Sequence, residues 1–411
     1  KGMNRLLLTS VSVIGISFAS AALAAGGGSV YLTQTGDQQI ATIDQSYGSG
    51  DQVGSSGSPF LQQNGSGTGS NVLRINQNAA TNSELPNLPS FGSAGSGNSA
   101  TGYQSGTSNT AEIDQEGNNS SVHLEQSGAH NGWTGPGVSG DPWYNSPFAN
   151  IIVQDPTASY SSIDVRQTSD ANAVKGNFFS IGQGGFNNHV TVNEVQASSG
   201  DDRNDLWIRQ GTSAPDLWWA GFSAPSGLSN STINVTQSIG PGGHVNYAAL
   251  AQGNGSGNQM VVGQYNGYNN VDAQQIGSGN YFNSTQINTG TGWNFVGGEQ
   301  GFPDTPFVNP LTSSNVDYRP ILQSGTGNSY TSYQYGTDLW AFGSQVGNYN
   351  FLNSVQTGNN NSLFTSQLGD YNQIYASQSD SFNTAIVMQN NSSSLTSVTQ
   401  SGSNNMATIT Q

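Results

Sequence analysis

Four histidines (His123, His130, His189 and His244) and the acidic cluster Asp201, Asp202 and Asp205 are the side chains whose types best suit acid–base or metal chemistry. The histidines fall in no metal-ligand spacing. His123 and Glu125 alternate onto the outward face of one strand, as a solvated pair rather than an acid–base couple. The three aspartates are framed by neither an EF-hand nor a nonapeptide calcium pattern and read as solvated loop charges. Gly135, Gly137 and Gly140 match GxGxxG, but in a Pro-containing loop with no following helix, which excludes dinucleotide binding. Cysteine is absent, so disulfides, thiol catalysis and Cys-ligated metals are excluded. With no nucleophile–base arrangement and no paired carboxylates, neither an enzyme nor a cofactor is expected.

The strict spacing belongs to amides instead. From Gln323 a glutamine recurs at Gln334, Gln345, Gln356, Gln367, Gln378, Gln389, Gln400 and Gln411, eight consecutive steps of 11. The same step joins Gln34 to Gln45, Gln104 to Gln115 and Gln126, and Gln264 to Gln275 and Gln286. Each unit reads Gln-x-Gly-x-x-Asn-x-a-x-a-x-Gln, with a small or apolar. Gly325, Gly336, Gly347, Gly358, Gly369 and Gly402 fall two residues after a Gln, and Asn328, Asn350, Asn361, Asn372, Asn383 and Asn405 five after. A chemistry that needs an amide at every step is mutual hydrogen bonding. A buried carboxamide left unpaired costs about 1–3 kcal/mol, whereas one stacked on an identical neighbour bonds to the next along an axis.

The elements that position these amides follow from the second half of the unit, which has period two. Asn405, Ala407, Ile409 and Gln411 point to one side of an extended chain, and Met406, Thr408 and Thr410 to the other. The Gly falls in a short link where a turn needs positive φ. Each unit is therefore one short strand and one tight turn. Twenty-six strands are expected by their closing residue, the weakest at Gln154, Gln300 and Gln323, and two per coil make 13 coils. At the usual strand spacing these stack to ~60 Å. Apolar pairs such as Val122/Leu124, Leu206/Ile208 and Ala385/Val387 fill a thin seam between two sheets. The fold class is all-β, a two-sheet β-solenoid.

Composition agrees with a ladder-built fold and excludes a conventional core. Only 33% of the 411 residues are hydrophobic and 8% charged, with 55 Gly. Disorder would fit that polarity, but 16 Tyr, 16 Phe and 7 Trp do not fit disorder, and a low-complexity linker would not hold Gln, Gly and Asn in phase. Residues 1–24 read as an export leader: Met3-Asn4-Arg5, then an apolar stretch diluted by Ser and Thr, then Ala22-Leu23-Ala24. Without Lys1 and Arg5 the chain carries 6 basic against 24 acidic residues, a net charge of −18. Nucleic acid and anionic lipid are excluded as partners. Residues 25–322 form repeats interrupted by insertions at 46–66, 78–93, 127–143, 211–226 and 301–316, and 323–411 the regular block. No cap is visible at either end of the stack, so its terminal strands are expected to receive another molecule. In the regular block Asp338 and Asp370 lie between the Gly and the strand, and Asp380 takes the Gly position, as gatekeepers against premature assembly.

This unit resembles the curlin repeat of the curli major subunit family, secreted bacterial functional amyloids. The resemblance covers essentially the whole mature chain and is strongest over 323–411. It implies export as an unfolded chain through an outer-membrane curli secretion pore, nucleation by a surface-bound minor curlin, and growth by self-association into extracellular cross-β fibres of the biofilm matrix, serving adhesion and cohesion. It also implies that the Gln and Asn positions above point inward. The chain departs from the family by its length, its insertions and Glu194 at an inward Gln position. Two insertions carry Trp133, Trp143, Tyr144, Trp218 and Trp219, which either shield an apolar edge or stack on a matrix polysaccharide. The alternative function is a monomeric solenoid adhesin that binds through them.

Overall fold

In the computed structural model, residues 7–8, 29–35, 40–44, 52–53, 61–65, 72–81, 91–95, 97–107, 111–115, 117–132, 150–173, 176–197, 203–212, 227–241, 244–297 and 321–411 are described. They form a parallel β-solenoid with two principal sheets and no helix. One sheet has 13 strands, the other 17, and every pairing between described strands is parallel. Over most of the chain consecutive strands alternate between the two sheets, so each strand pairs with the one a full coil away. In the regular block that distance is 22 residues, as in Gln334 on Gln356 and Gln345 on Gln367.

Alternation dictates this arrangement. Strand Tyr281–Asn288 buries every second residue, and Ser121–Ser127 does the same. The inward apolar positions stack coil on coil. Ile152, Ile181, Ile208 and Leu250 form one column, and Leu124, Val165, Val192 and Val235 form a column in the opposite sheet of the same core. Each is at least 98% buried, worth about 1.5–3 kcal/mol per side chain in transfer from water. The seam is not wholly apolar: Tyr330 is fully buried in it, stacked on Phe282 at 5.5 Å.

The structure corrects the sequence reading at one place and extends it at others. The stretch 46–66 is not wholly an insertion, because Leu61–Gly65 is a strand paired with Leu32–Thr35 on one side and Phe91–Gly95 on the other. Residues 298–320, with Gln300, lie outside the described residues, and Asn294–Val296 supplies a three-residue strand between Asn269–Ser278 and Trp340–Val346. The link between strands is also more constrained than one glycine. A second left-handed residue stands just before the inward position (Asn in six links, Leu339 and Ser394 in the other two), successively Gly327, Asp338, Tyr349, Asn360, Tyr371, Phe382, Ser393 and Asn404, with φ between 55° and 65°. In most links two reversals of backbone hand turn the chain from one sheet to the other within a few residues, the link after Gln389 having only the one at Ser393. Of the leader only Leu7–Leu8 is described, paired with Tyr31–Leu32.

Candidate functional site: amide ladders and an open edge

The inward glutamines lie at the ends of paired strands, which places each carboxamide over the next. In one sheet Gln115, Gln154, Gln183, Gln210, Gln252 and Gln275 each donate Nε2–H to the Oε1 of the next, and the run continues unbroken through Gln323, Gln345, Gln367 and Gln389 to Gln411, at 2.8–3.3 Å. The second Nε2 hydrogen bridges to the opposite sheet: Gln345 donates to Ser329 O at 2.9 Å, Gln356 to Trp340 O at 3.0 Å and Gln378 to Ser362 O at 3.0 Å. Both donors and the acceptor of an almost fully buried amide are thus used. The ladder clamps coil to coil and sheet to sheet at once.

The asparagines of the regular block work differently from the expected side-chain ladder. Asn350 N–H donates to Asn328 Oδ1 and Asn372 N–H to Asn350 Oδ1, both at 3.0 Å. Their own Nδ2 groups donate to carbonyls of the link in the next coil, Asn328 to Gly347 O at 2.8 Å and Asn350 to Gly369 O at 2.7 Å. Asn361 Nδ2 likewise donates to Asp380 O at 3.1 Å and Asn383 N–H to Asn361 Oδ1 at 3.0 Å, whereas Asn383 Nδ2 donates within its own link to Ser379 O at 2.6 Å, and Asn405 adds a side-chain bond to Asn383 Oδ1 at 3.0 Å. Asn is one methylene shorter than Gln and sits beside the link, so backbone groups are the partners within reach. Earlier in the chain, Asn177, Asn204, Asn246 and Asn269 do form a side-chain ladder, at 2.8–3.0 Å.

The link glycines are fixed by the neighbouring coil as well as by φ. A Cβ on Gly325, Gly336, Gly347 or Gly358 would lie within 1.7–2.1 Å of the carbonyl oxygen of the link above it. The structure gives two of the three aspartates a bonding role. Asp370 Oδ1 accepts from Asn348 N at 2.7 Å and Nδ2 at 3.1 Å, and Asp380 Oδ2 accepts from Gly402 N at 2.8 Å. Asp338 packs against Gly292, and a Cβ added there would strike its carboxylate.

Charges in the middle of the chain depart from expectation. Asp205 is not a solvated loop charge: it is 2% exposed and paired with Arg203 at 2.8 Å. Glu125 lies 3.9 Å from Arg166. The second amide ladder runs from Gln126 to Gln167 to Glu194, then resumes from Gln237 through Gln264, Gln286, Gln334, Gln356 and Gln378 to Gln400. Glu194 and Gln237 are register partners, yet Glu194 Oε1 and Gln237 Oε1 have no hydrogen-bond partner. Burial pushes the Glu194 carboxyl well above the usual carboxylate range, with the charge of Asp205 adding to the effect.

At the far edge the strands Leu395–Gln400 and Met406–Thr410 each pair on one side only among the described residues. Leu395 is 63% and Met406 70% exposed, while Ala407 and Ile409 remain packed against the core from one side. On the outer surface Tyr349 and Tyr371 stack at 5.3 Å with both rings more than half exposed. Trp133, Trp143, Tyr144, Trp218 and Trp219 lie outside the described residues, as do Asp201 and Asp202. No cluster of three His, Cys, Asp or Glu able to hold a metal occurs among the described residues.

The family model of the curlin associated repeat matches residues 92–128, the stretch that holds strands Ser99–Thr107, Ala111–Gln115 and Ser121–Ser127. No curated protein matches the chain.

Proposed function

We propose that this chain, which carries the curlin associated repeat, is a secreted structural subunit that adds end to end to copies of itself in a curli-type amyloid fibre of the biofilm matrix. The observation that supports this reading is that the strands Leu395–Gln400 and Met406–Thr410 pair on one side only among the described residues, so that backbone, apolar seam and both amide ladders are in register to accept a further coil. A second solenoid stacked there continues all three at once, and each new coil repeats the bonding already present in the chain. The regular block supports the same reading, because its 22-residue coils need no adjustment between neighbours.

The role is one of cohesion and attachment rather than catalysis. Its setting is the extracellular surface, reached through the leader at 1–24 and an outer-membrane curli secretion pore. A minor curlin acts as nucleator by presenting a first edge of the same geometry. Exposed aromatic stacks such as Tyr349 on Tyr371 favour a matrix polysaccharide as a lateral partner, since sugar faces stack on rings.

The test is sedimentation with negative-stain electron microscopy after residues 25–411 are diluted out of denaturant. Long unbranched fibres of uniform width are expected. A solution that stays monodisperse even when seeded with preformed curli-type fibres overturns the proposal.

A further inference from the structure

We propose that Glu194 is a neutral carboxylic acid in the folded solenoid, its Oε1–H donating to Gln237 Oε1, so that forming this coil takes up one proton. The argument starts from the ladder. Each glutamine receives one N–H from the coil before it and gives one to the coil after it. A carboxylate can receive but cannot give. Glu194 Oε2 does receive, from Gln167 Nε2 at 2.5 Å. What is missing is the donor to Gln237, and two oxygens stand without partners at that step, Glu194 Oε1 and Gln237 Oε1. Two facing acceptors repel unless a proton lies between them. A single proton on Oε1 completes the ladder, since a protonated carboxyl donates once and accepts once along the axis as a carboxamide does.

Beyond the single hydrogen bond from Gln167, which opposes the effect of burial without outweighing it, the surroundings offer the ionised form no compensation. Glu194 is fully buried. On its own strand, His189 lies at the opposite end. On strand Ser162–Thr168, Asp164 and Arg166 are on the outward face, and Arg166 is 61% exposed beside Glu125 and Asp164. Strand Thr232–Ile239 carries no charged group. From the other sheet come Asp205, held by Arg203, and Arg209, which faces outward. The nearby carboxylate raises the proton affinity of Glu194 further.

The sign of the linkage follows. In the unfolded chain Glu194 ionises near the ordinary glutamate value of about 4.3. Its folded value is raised, so its contribution to stability is complete below that ordinary value and is lost as pH rises through the folded value. Between the two, the folding equilibrium falls up to tenfold per pH unit for this one proton. This device sits inside one chain and stands independently of fibre formation. A coil that closes more readily in acid gives an exported chain a reason to stay open until the local pH falls.

The test uses the full chain and two readouts. Infrared spectra of the folded protein at pH 7 are expected to show the C=O stretch of protonated carboxyls, part of which disappears in Glu194→Gln. Asp272→Asn is the control, because Asp272 is a second fully buried carboxyl whose proton affinity burial raises. Denaturant midpoints between pH 5 and 8 are expected to fall with pH in the wild type and to fall less steeply, by one proton, in Glu194→Gln. A band unchanged by Glu194→Gln, or equal pH slopes in the two proteins, overturns the proposal. If Glu194→Gln gave too little folded protein, a wild-type spectrum in which Asp272→Asn removes the whole band would overturn it as well.

Discussion

The backbone of Gly336 passes so close to Gly358 in the next coil that a Cβ on Gly336 would lie 1.7 Å from the Gly358 carbonyl oxygen. Gly402, in the last link, has the same role in its own unit, but nothing lies within 3.4 Å of its Cβ position. Both have positive φ, so both suffer the conformational penalty of a side chain, about 1 kcal/mol. Only Gly336 suffers the collision. Gly336→Ala is expected to lower stability by ~3 kcal/mol or more, and Gly402→Ala by ~1 kcal/mol, read as shifts in denaturant midpoint. If copies stack on this edge, Gly402 acquires in the fibre the crowding that Gly336 has in the chain. Gly402→Ala is then expected to slow elongation well beyond its effect on the single chain, and equal effects on both would refute stacking at this edge.

Gln356 receives from Gln334, gives to Gln378 and bridges to Trp340 O, all at 2.8–3.0 Å and with 1% of its surface exposed. Gln356→Glu keeps the shape and the acceptor but removes both donors. As a carboxylate it faces the Gln378 Oε1 acceptor and leaves Trp340 O short of a partner. A loss of roughly 3 kcal/mol is expected at pH 8, with partial recovery at pH 5 as the carboxyl is protonated. Chemical denaturation at the two pH values separates this from a simple packing defect, for which the loss would not change with pH.

These cases show what the sequence made legible and why. Gln and Gly were legible because both carry a constraint that few other residues meet: an amide that must give and receive, and a link position without room for Cβ. The second left-handed position was not, since Gly327, Asp338, Tyr349, Phe382 and Ser393 share no chemistry. That position is exposed in most coils and needs only a turn of the backbone, which the surrounding hydrogen bonds impose. Strand Leu61–Gly65 was hidden for another reason. Gln63 and Gly65 are in phase, but Thr68 stands where Asn is expected, so the unit looks broken while the strand still pairs. The Asn partners were misread because residue type gives the need for a bond, not the distance to the nearest backbone.

Tyr330 and Gly343 illustrate shape matching across the seam. A Cβ on Gly343 would lie 3.0 Å from the Tyr330 ring and 2.6 Å from Thr365 Oγ1. The missing side chain in one sheet makes room for the large one from the other. Gly343→Val is expected to cost about 1–3 kcal/mol by overpacking, and Tyr330→Leu a comparable amount by leaving space. The double variant should recover part of both losses, with a coupling of about 0.5–3 kcal/mol in a double-mutant cycle. Strict additivity would show that the two sites relax independently.

The open edge yields the most direct test of directional growth. Gln411 N–H bonds back to Met388 O at 2.9 Å, within the chain. By the two-residue alternation of a strand, the N–H groups of Met406, Thr408 and Thr410 point away from the chain, toward the unpaired edge. Proline is tolerated on edge strands where its missing N–H faces outward. Thr408→Pro therefore removes no ladder bond inside the molecule, and the midpoint of a single chain is expected to move by less than ~1 kcal/mol. What it removes is a donor that an incoming strand needs, and the ring occupies the place that strand would take. Seeded growth followed by electron microscopy is expected to stop at the blocked end, while Thr408→Ser grows as the wild type does. Elongation of Thr408→Pro at an undiminished rate would mean that this edge is not where copies join.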